Sequence, residues 1–212
     1  MSSKKAICPG ILFVFSAPSG AGKSSLVNAL LEDDDNLTLS ISTTTRPMRP
    51  GENDHEHYRF VSSEEFEASV RAGEFLEHAL VFGNWYATSR DAVETPLAAG
   101  MDVLFEIDWQ GARNVKRQFP QACLIFILPP SVAALRERLE RRAQDSVETI
   151  ERRMRDARSE MSHHDEFDFV VVNDEFKTAL EDLKSIIRSQ RLTASRQQIK
   201  QQFLLDELLN NQ

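Results

Sequence analysis

The chain has 212 residues, of which 41% are hydrophobic and 27% are charged, as is usual for a globular protein. This composition excludes fibrous, collagen-like and disordered chains, and the length suffices for one large domain or a core with an inserted subdomain. The 25 basic residues against 33 acidic residues give a net charge of −8, which disfavours nucleic acid as a partner. Any site for an anion must therefore be local.

The spacing of the cysteines and the lengths of the apolar runs bear on the cellular compartment in which the protein acts. Cys8 and Cys123 stand far apart, without the spacing of a disulfide framework, which predicts a reduced, cytoplasmic setting. Cys123 lies inside an apolar run and is expected to be a small buried hydrophobic residue. No apolar run approaches the ~18 residues of a membrane-spanning helix, so we expect no membrane partner.

Four apolar runs of strand length recur along the chain. They are uniformly apolar rather than alternating, which is typical of strands covered on both faces in a parallel sheet. Helical segments separate them, and this alternation predicts a doubly wound α/β core. The predicted strands cover residues 11–16, 101–107, 122–128 and 169–172, and the predicted helices cover residues 24–31, 89–99, 110–118, 132–142 and 176–191.

One stretch, residues 42–97, interrupts this alternation and is predicted to be an inserted subdomain. Its first part, to residue 82, is rich in turn residues and carries one short helix, for which Ser62 and Glu65 form a capping box. The predicted core then comprises residues 1–41 and 98–191, with a lid at about 138–160 and a C-terminal helical tail at 192–212.

A glycine-rich loop follows the first predicted strand and opens the first predicted helix. It reads Ala17-Pro18-Ser19-Gly20-Ala21-Gly22-Lys23-Ser24. Gly20 and Gly22 allow successive backbone N–H groups to point at phosphate oxygens, and the helix adds the positive end of its dipole. Lys23 then supplies a cation to the β- and γ-phosphates, and Ser24 supplies a hydroxyl to Mg²⁺. The loop predicts a site for a nucleoside triphosphate with Mg²⁺.

Such a loop usually has an acidic partner at the end of a neighbouring strand. Asp108 follows the apolar run 103–107, and we expect it to hold the metal through water and also to cap the next helix. Residues 108–111 also match the Asp-x-x-Gly of GTPase switch regions. The sequence lacks the Asn-Lys-x-Asp motif that reads the base in GTPases, which disfavours a GTPase.

Together with the loop, five further motifs in register resemble the guanylate kinase family from about residue 11 to residue 191. They are residues 42–52 (STTTRPMRPGE), 57–58 (HY), 75–78 (FLEH), 83–90 (GNWYATSR) and 106–111 (EIDWQG). The resemblance implies ATP-dependent phosphorylation of GMP, and of dGMP, with a P-loop core, an inserted GMP-binding subdomain and a mobile lid.

The resemblance also implies which residues bind GMP. Arg46 and Arg49 match two arginines that bind the monophosphate, whose charge suits their planar guanidinium groups. Tyr58 and Tyr86 match two tyrosines whose hydroxyls complete that phosphate's shell. Glu77 matches the residue that reads guanine. A carboxylate can accept hydrogen bonds from guanine N1–H and the 2-amino group together, and adenine has neither of these donors. The other implied members of the GMP site are Ser42, Thr88, Glu106 and Asp108.

The arginine-rich segment 136–158 contains the residues that the resemblance assigns to the lid. Arg138, Arg142 and Arg153 match arginines that reach the ATP phosphates when the lid closes, and with Lys23 they are the expected catalytic cations. Residues 141–143 replace the usual Gly-Arg-Gly with Arg-Arg-Ala, so Arg141 remains an alternative to Arg142. The remaining arginines are expected to form salt bridges on a solvated helical face.

Two other functions compete with a guanylate kinase. Guanylate-kinase-like domains serve as non-catalytic peptide-binding modules in some larger proteins, but such a module would need neither Lys23 nor Ser24. A kinase for adenylate or pyrimidine monophosphates is the closer alternative, and Glu77 disfavours it. Zinc is not expected either, since His55 with His57, and His163 with its neighbours, lack further ligands at suitable spacing.

The resemblance fades in the C-terminal tail, where apolar residues recur at near-helical spacing. They are Ile199, Phe203, Leu204, Leu205, Leu208 and Leu209. This pattern predicts an amphipathic helix that either docks on its own core or pairs with a second subunit, since an exposed apolar face tends to be covered.

Overall fold

The computed structural model describes residues 7–81, 83–141 and 147–210. The strands are β1 (Leu12–Ser16), β2 (Leu37–Leu39), β3 (Thr43–Thr44), β4 (Arg59–Phe60), β5 (Phe75–Val81), β6 (Asn84–Ser89), β7 (Asp102–Glu106), β8 (Cys123–Leu128) and β9 (Phe169–Val172). The helices are α1 (Lys23–Asp33), α2 (Ser63–Ala72), α3 (Arg90–Ala98), α4 (Trp109–Gln118), α5 (Val132–Arg141), α6 (Val147–Met161), α7 (Phe176–Arg191), α8 (Ala194–Lys200) and α9 (Gln202–Asn210), with a 3₁₀ turn at His164–Glu166.

The central sheet consists of five parallel strands in the order β2-β7-β1-β8-β9. Alternate residues of β1 enter two separate cores: Phe13 and Phe15 pack with α1 and α7, whereas Leu12 and Val14 pack with α3 and α4. Because both faces of β1 are covered by helices, both faces carry apolar residues, which explains the uniform hydrophobicity of the strand. The predicted doubly wound α/β class is therefore confirmed.

The segment between β2 and β7 forms a second sheet in the order β4-β3-β6-β5. The predicted capping box of α2 is present, with the Glu65 N–H donating to Ser62 Oγ at 3.2 Å and the Ser62 N–H donating to Glu65 Oε2 at 2.8 Å. The strands of this sheet were not predicted. β3 and β4 have two residues each, which is too short for any hydrophobic period to show.

The helices α5 and α6 pack against each other through a small apolar cluster of Leu135, Leu139, Met154 and Ala157. Across them Arg136 Nη1 donates to Glu151 Oε1 at 2.7 Å, as expected for a salt-bridged helical surface. Leu135 and Leu139 also lie against Gly20, where an added Cβ would come within 3.0 to 3.1 Å of them. The predicted lid segment is thus seated on the phosphate loop.

The tail forms two helices, interrupted at Gln201, rather than one. α8 touches the core, since Arg196 Nη2 donates to the Pro9 carbonyl at 2.6 Å. α9 does not bury its apolar side chains: Phe203 is 81% exposed, Leu208 68% and Leu209 76%. The tail is therefore only partly docked on the protein's own core: α8 contacts it, whereas the apolar side chains of α9 remain exposed. Within the described residues, no helix has the length and hydrophobicity needed to cross a membrane.

Arg191, the last residue of α7, ties the sheet to two helices. Its Nε donates to Asp102 Oδ2 at 2.6 Å and its Nη1 donates to Asp34 Oδ2 at 2.6 Å. Asp102 is only 1% exposed, and its other oxygen accepts the Ile11 N–H at 2.6 Å. The Asp102 carboxylate therefore joins the start of β7, the strand β1 and the end of α7.

We predict that Asp102→Ala destabilises the protein much more than Asp34→Ala, although both remove one partner of Arg191. Losing the buried Asp102 leaves the Ile11 N–H without its acceptor and Arg191 with only the more exposed Asp34, at a cost of about 3 kcal/mol in the free energy of unfolding. Losing the more exposed Asp34 is expected to cost about 1 kcal/mol or less. Urea denaturation of the two variants measures the difference, and equal losses would contradict this account.

Candidate active site

The loop of residues 17–24 connects β1 to α1, as the sequence predicts. Gly20 and Gly22 have φ angles of 91° and 92°, a region that side chains with a Cβ rarely adopt. The turn is closed by the Ala21 N–H, which donates to the Pro18 carbonyl at 3.1 Å. α1 begins at Lys23 and has no side-chain cap, so the loop leads directly into a helix N-terminus whose first N–H groups have no partner within the helix.

Asn173, which follows β9, stabilises this loop through a hydrogen bond to the loop backbone. Its side chain is 5% exposed, and its Nδ2 donates to the Ala21 carbonyl at 2.7 Å. A Cβ at Gly22 would lie 2.3 Å from the same nitrogen, so the close approach requires a glycine there. Arg138 completes the arrangement, donating to the carbonyls of Asn173 at 2.9 Å and Ala21 at 3.4 Å. The sequence analysis gave Asn173 no role, because its partner Ala21 lies 152 residues away in the chain.

One carboxylate oxygen of Glu106 contacts both polar side chains at the end of the loop, those of Lys23 and Ser24. Glu106 Oε2 accepts a hydrogen bond from Ser24 Oγ at 2.9 Å and forms an ion pair with the Lys23 ammonium. Glu106 ends β7, and Asp108, two residues later, caps α4 by accepting the Gly111 N–H on Oδ1 at 2.7 Å. The predicted capping role of Asp108 is therefore present.

A cleft of about 400 Å³ extends from the phosphate loop to the inserted sheet. Among the residues that line it, Ala17, Ser19 and Lys23 were predicted for ATP, and Ser42, Tyr58, Glu77, Tyr86, Glu106 and Asp108 were predicted for GMP. Ala79, Ile107 and Glu160 also line it and were not predicted. Two predicted sites therefore meet in one concave space.

Glu77 lies on β5 opposite Thr88 on β6. Thr88 is fully buried, and its hydroxyl donates to Glu77 Oε1 at 3.2 Å. Burial raises the pKa of Glu77 to about 7, the nearby charge of Asp108 adds to the rise, and the Thr88 hydrogen bond opposes it. A ligand that donates hydrogen bonds to this carboxyl would favour its ionised form.

Arg46 is nearly buried, with 9% exposure, and is held by Glu52. Its Nη2 donates to the two oxygens of Glu52 at 2.7 and 3.0 Å, and its guanidinium carbon lies 5.4 Å from the centre of the Tyr58 ring. Glu52 also accepts the backbone N–H of Arg49 at 2.8 Å, whereas the Arg49 side chain is exposed. Arg46 is the main cause of the lowered pKa of Glu52.

Glu52 was quoted in the sequence motif but was given no role there. Its position as the acid that follows two arginines at three-residue intervals is a signal that such a carboxylate organises them. Tyr58 and Tyr86, on either side of this group, meet edge to face with ring centres 5.9 Å apart.

The remaining arginines predicted for the lid have different positions. Arg153 is half-buried on α6, and Arg142 lies outside the described residues. Arg141, the alternative to Arg142, is 74% exposed and pairs with Glu137 at 2.5 Å. Nothing in that geometry brings Arg141 to the cleft.

Glu160 on α6 is the acidic residue of the cleft that sequence reasoning did not single out. Its Oε2 is buried and has no hydrogen-bond partner among the residues that the structure describes. Burial raises the pKa of Glu160 to about 7, the backbone amide of Ser19 opposes the rise, and the charges of Asp108 and Asp156 add to it. Glu160 alternates with arginines in the sequence, so only the fold distinguishes it from its neighbours on the solvated face.

The histidine pairs considered as metal ligands are not part of this cleft. In the described parts of the chain, no group of three or more His, Cys, Asp and Glu side chains is placed to hold a metal ion. Cys123 is 4% exposed in β8, and burial raises the pKa of its thiol to about 12, as suits a small buried hydrophobic residue.

Comparison with known proteins agrees with this geometry. Residues 10–190 match the family model of guanylate kinase. A guanylate kinase of Hahella chejuensis is 55% identical over 203 residues, covering 96% of this chain and 98% of the relative. A guanylate kinase of Thiobacillus denitrificans is 56% identical over 189 residues, covering 89% and 90%. The crystal structure of guanylate kinase from Anaplasma phagocytophilum has a TM-score of 0.74 at 34% identity, covering 89% of each chain. The chain therefore belongs to the guanylate kinase family.

Proposed function

We propose that this protein transfers the γ-phosphoryl group of ATP to GMP, and to dGMP, producing ADP and the nucleoside diphosphate. The observation that carries the proposal is that Lys23 of the phosphate loop and Glu77 of the inserted sheet line the same cleft. A phosphate-binding cation and a guanine-reading carboxylate in one space fit a guanylate kinase better than a GTPase or a peptide-binding module.

On the donor side, the backbone N–H groups of residues 20–24 bind the phosphates of ATP. Lys23, now paired with Glu106, would turn to the β- and γ-phosphates, and Ser24, now hydrogen-bonded to Glu106, would be a ligand for a metal ion. Arg138, already seated beside the loop, contributes positive charge together with Arg142 and Arg153. The other loop residues, Ala17, Pro18, Ser19 and Ala21, shape the turn.

The residues beside the loop suit Mg²⁺, which prefers hard oxygen ligands. Ser24 Oγ would bind the ion directly and Asp108 would hold it through water, next to a cleft whose Glu160 has an oxygen without a partner. When bound, the ion neutralises charge on the β- and γ-phosphates.

On the acceptor side, Glu77 accepts N1–H and the 2-amino group of guanine, with Ser42 and Thr88 supplying hydroxyls. Arg46, Arg49, Tyr58 and Tyr86 bind the monophosphate. The phosphate competes with Glu52 for Arg46, because both offer two oxygens to one guanidinium group.

The reaction then needs no covalent intermediate. An oxygen of the GMP phosphate bonds to the γ-phosphorus of ATP, and the bond from that phosphorus to the β–γ bridging oxygen breaks. ADP leaves with the electron pair. Charge accumulates on the transferred group and on the bridging oxygen, where Lys23 and the lid arginines stabilise it.

We also propose that α9 pairs with a second copy of the chain and that the protein acts in the cytoplasm. The exposed leucines of α9 support the first proposal, since a face of that kind is unfavourable in water. The two free thiols, Cys8 and Cys123, support the second.

The direct test of the activity is a coupled assay of ADP release by purified protein with Mg·ATP. GMP, AMP, CMP and UMP are offered separately. We expect GMP to be preferred by several orders of magnitude over AMP, as expected when a buried acceptor is left unpaired. Equal use of AMP would refute the assignment.

We predict that Lys23→Ala abolishes phosphoryl transfer but leaves the fold and GMP binding intact. Loss of a cation that acts on the transition state should lower turnover by a factor of ~10² to 10⁴. Lys184→Ala is the matched control, because Lys184 pairs with Asp33 and Glu181 on the surface of α7. A Lys23 variant that retains more than half of the turnover would show that this loop is not catalytic.

We predict that Glu77→Ala lowers activity on GMP far more than the residual activity on AMP, because it removes the acceptor specific for guanine. Arg49→Ala is the control: it weakens a phosphate contact that both nucleotides share and should raise both Michaelis constants in parallel. The measurement is kcat/KM for each nucleotide with each variant. Parallel losses with Glu77→Ala would make Glu77 a structural residue.

We predict that deleting residues 196–212 lowers the mass measured by light scattering while activity is retained, because α9 then no longer joins two copies. Unchanged mass with a lower melting temperature would instead indicate docking on the protein's own core. No change in either quantity would refute both roles.

A further inference from the structure

A cluster of four side chains connects the end of the lid helix α6 to the start of α4, and we name Trp109, Arg113, His163 and Glu166 the bracket. The Trp109 and His163 rings are stacked, with centres 3.5 Å apart and planes at 10°. The guanidinium carbon of Arg113 lies 4.8 Å from the centre of the Trp109 ring. Trp109 thus contacts a histidine and a cation at once.

Glu166 fastens both neighbours of Trp109. Its oxygens accept Arg113 Nε at 2.9 Å and Arg113 Nη2 at 2.5 Å, and Oε1 also lies 2.8 Å from His163 Nδ1. These contacts lower the pKa of Glu166 to about 2, with the Arg113 hydrogen bonds as the main cause. A two-point guanidinium–carboxylate pair restricts orientation more than a single surface ion pair does.

The bracket joins two segments that both reach the cleft. Trp109 directly follows Asp108, and His163 stands three residues after Glu160. Asp108 and Glu160 both line the cleft, and the buried Oε2 of Glu160 has no partner there. A shift of the end of α6 would therefore move Glu160 relative to the phosphate loop and Asp108.

At Glu160, α6 also meets the backbone amide of Ser19 in the phosphate loop. A further attachment joins α6 to α5, through the apolar cluster and the Arg136–Glu151 ion pair. That contact joins two helices of the lid segment to each other. The bracket instead joins α6 to α4, which packs against the central sheet. It is therefore placed to set the position of α6 relative to the core.

We propose that the Trp109–His163 stack, braced by Arg113 and Glu166, positions α6 over the phosphate loop and thereby sets the affinity for the phosphoryl donor. The residues act through α6 and do not touch the nucleotide. This inference rests on the proposed function, in which the phosphate loop takes ATP. The GMP residues Glu77 and Thr88 lie on β5 and β6, and Arg46 lies between β3 and β4, apart from the bracket.

The test compares His163→Ala with the matched control His164→Ala. His164 is the neighbouring residue of the same type, and its Nδ1 lies 3.0 Å from the Met161 carbonyl, away from the Trp109–His163 stack. His163→Ala should weaken ADP binding by about tenfold, as expected from a misplaced lid, and should change GMP binding by less than about twofold. Calorimetric titration measures both constants without requiring turnover.

A second variant distinguishes stacking from a general loss of stability. His163→Phe retains a flat ring against Trp109 and should restore ADP binding to within about threefold of the original protein. In a Trp85→Phe background Trp109 is the remaining tryptophan of the chain, so its emission reports whether the stack forms in solution.

The outcomes separate clearly. Weaker ADP binding with His163→Ala, unchanged GMP binding, recovery with His163→Phe and no effect of His164→Ala support the proposal. Equal loss for ADP and GMP, no loss for either, failure of the phenylalanine variant to recover, or the same loss with His164→Ala overturns it. If the original protein binds ADP but does not phosphorylate GMP, the proposed function fails while the role of the bracket can still be measured.

Discussion

The hydrogen bond from Asn173 to the Ala21 carbonyl is the contact on which the donor site depends. A phosphate loop works only when its N–H groups point inward, and the left-handed φ angles of Gly20 and Gly22 would otherwise be free to change. Asn173 reaches the loop from the end of β9, and Arg138 reaches both from α5. Three segments that are distant in sequence thus hold one turn, and the parallel order of β1, β8 and β9 brings them to the same edge.

Charge is the second constraint, because the cleft contains more acids than cations. Glu77 and Glu160 each have a pKa of about 7 in the structure, above the usual value of 4.5. The folded state then binds protons that the unfolded state has released, so these two groups make stability decrease as pH rises from about 4.5 towards 7. A loss of folding stability of this kind is common at ligand-binding sites, where a carboxylate is buried in order to bind a ligand. Guanine N–H groups or a metal ion would favour the charged forms of Glu77 and Glu160.

The core and the phosphate loop could be predicted from the sequence because each leaves a local signal. The run at β1 is apolar throughout since both faces are covered, and the loop residues are consecutive. Asn173 and Glu160 leave no comparable signal, because each meets a residue from a distant part of the chain, whereas Glu52 is marked only by its three-residue spacing from Arg49 and Arg46. The inserted sheet was missed for another reason: its paired residues, such as Glu77 and Thr88, are polar and do not follow a hydrophobic period.

The two halves of the cleft are consequently built in different ways. The donor half is made largely of backbone N–H groups, whose geometry depends on glycines and on the support of Asn173. The acceptor half is made of side chains, whose geometry depends on their own partners, as Arg46 depends on Glu52 and Glu77 on Thr88. Backbone recognition suits phosphates, which every nucleotide shares, whereas side-chain recognition can distinguish bases. In the proposed function, the residues that read guanine, Ser42, Glu77 and Thr88, all belong to the inserted segment, and changes in the predicted lid are expected to alter donor binding without altering the choice of base.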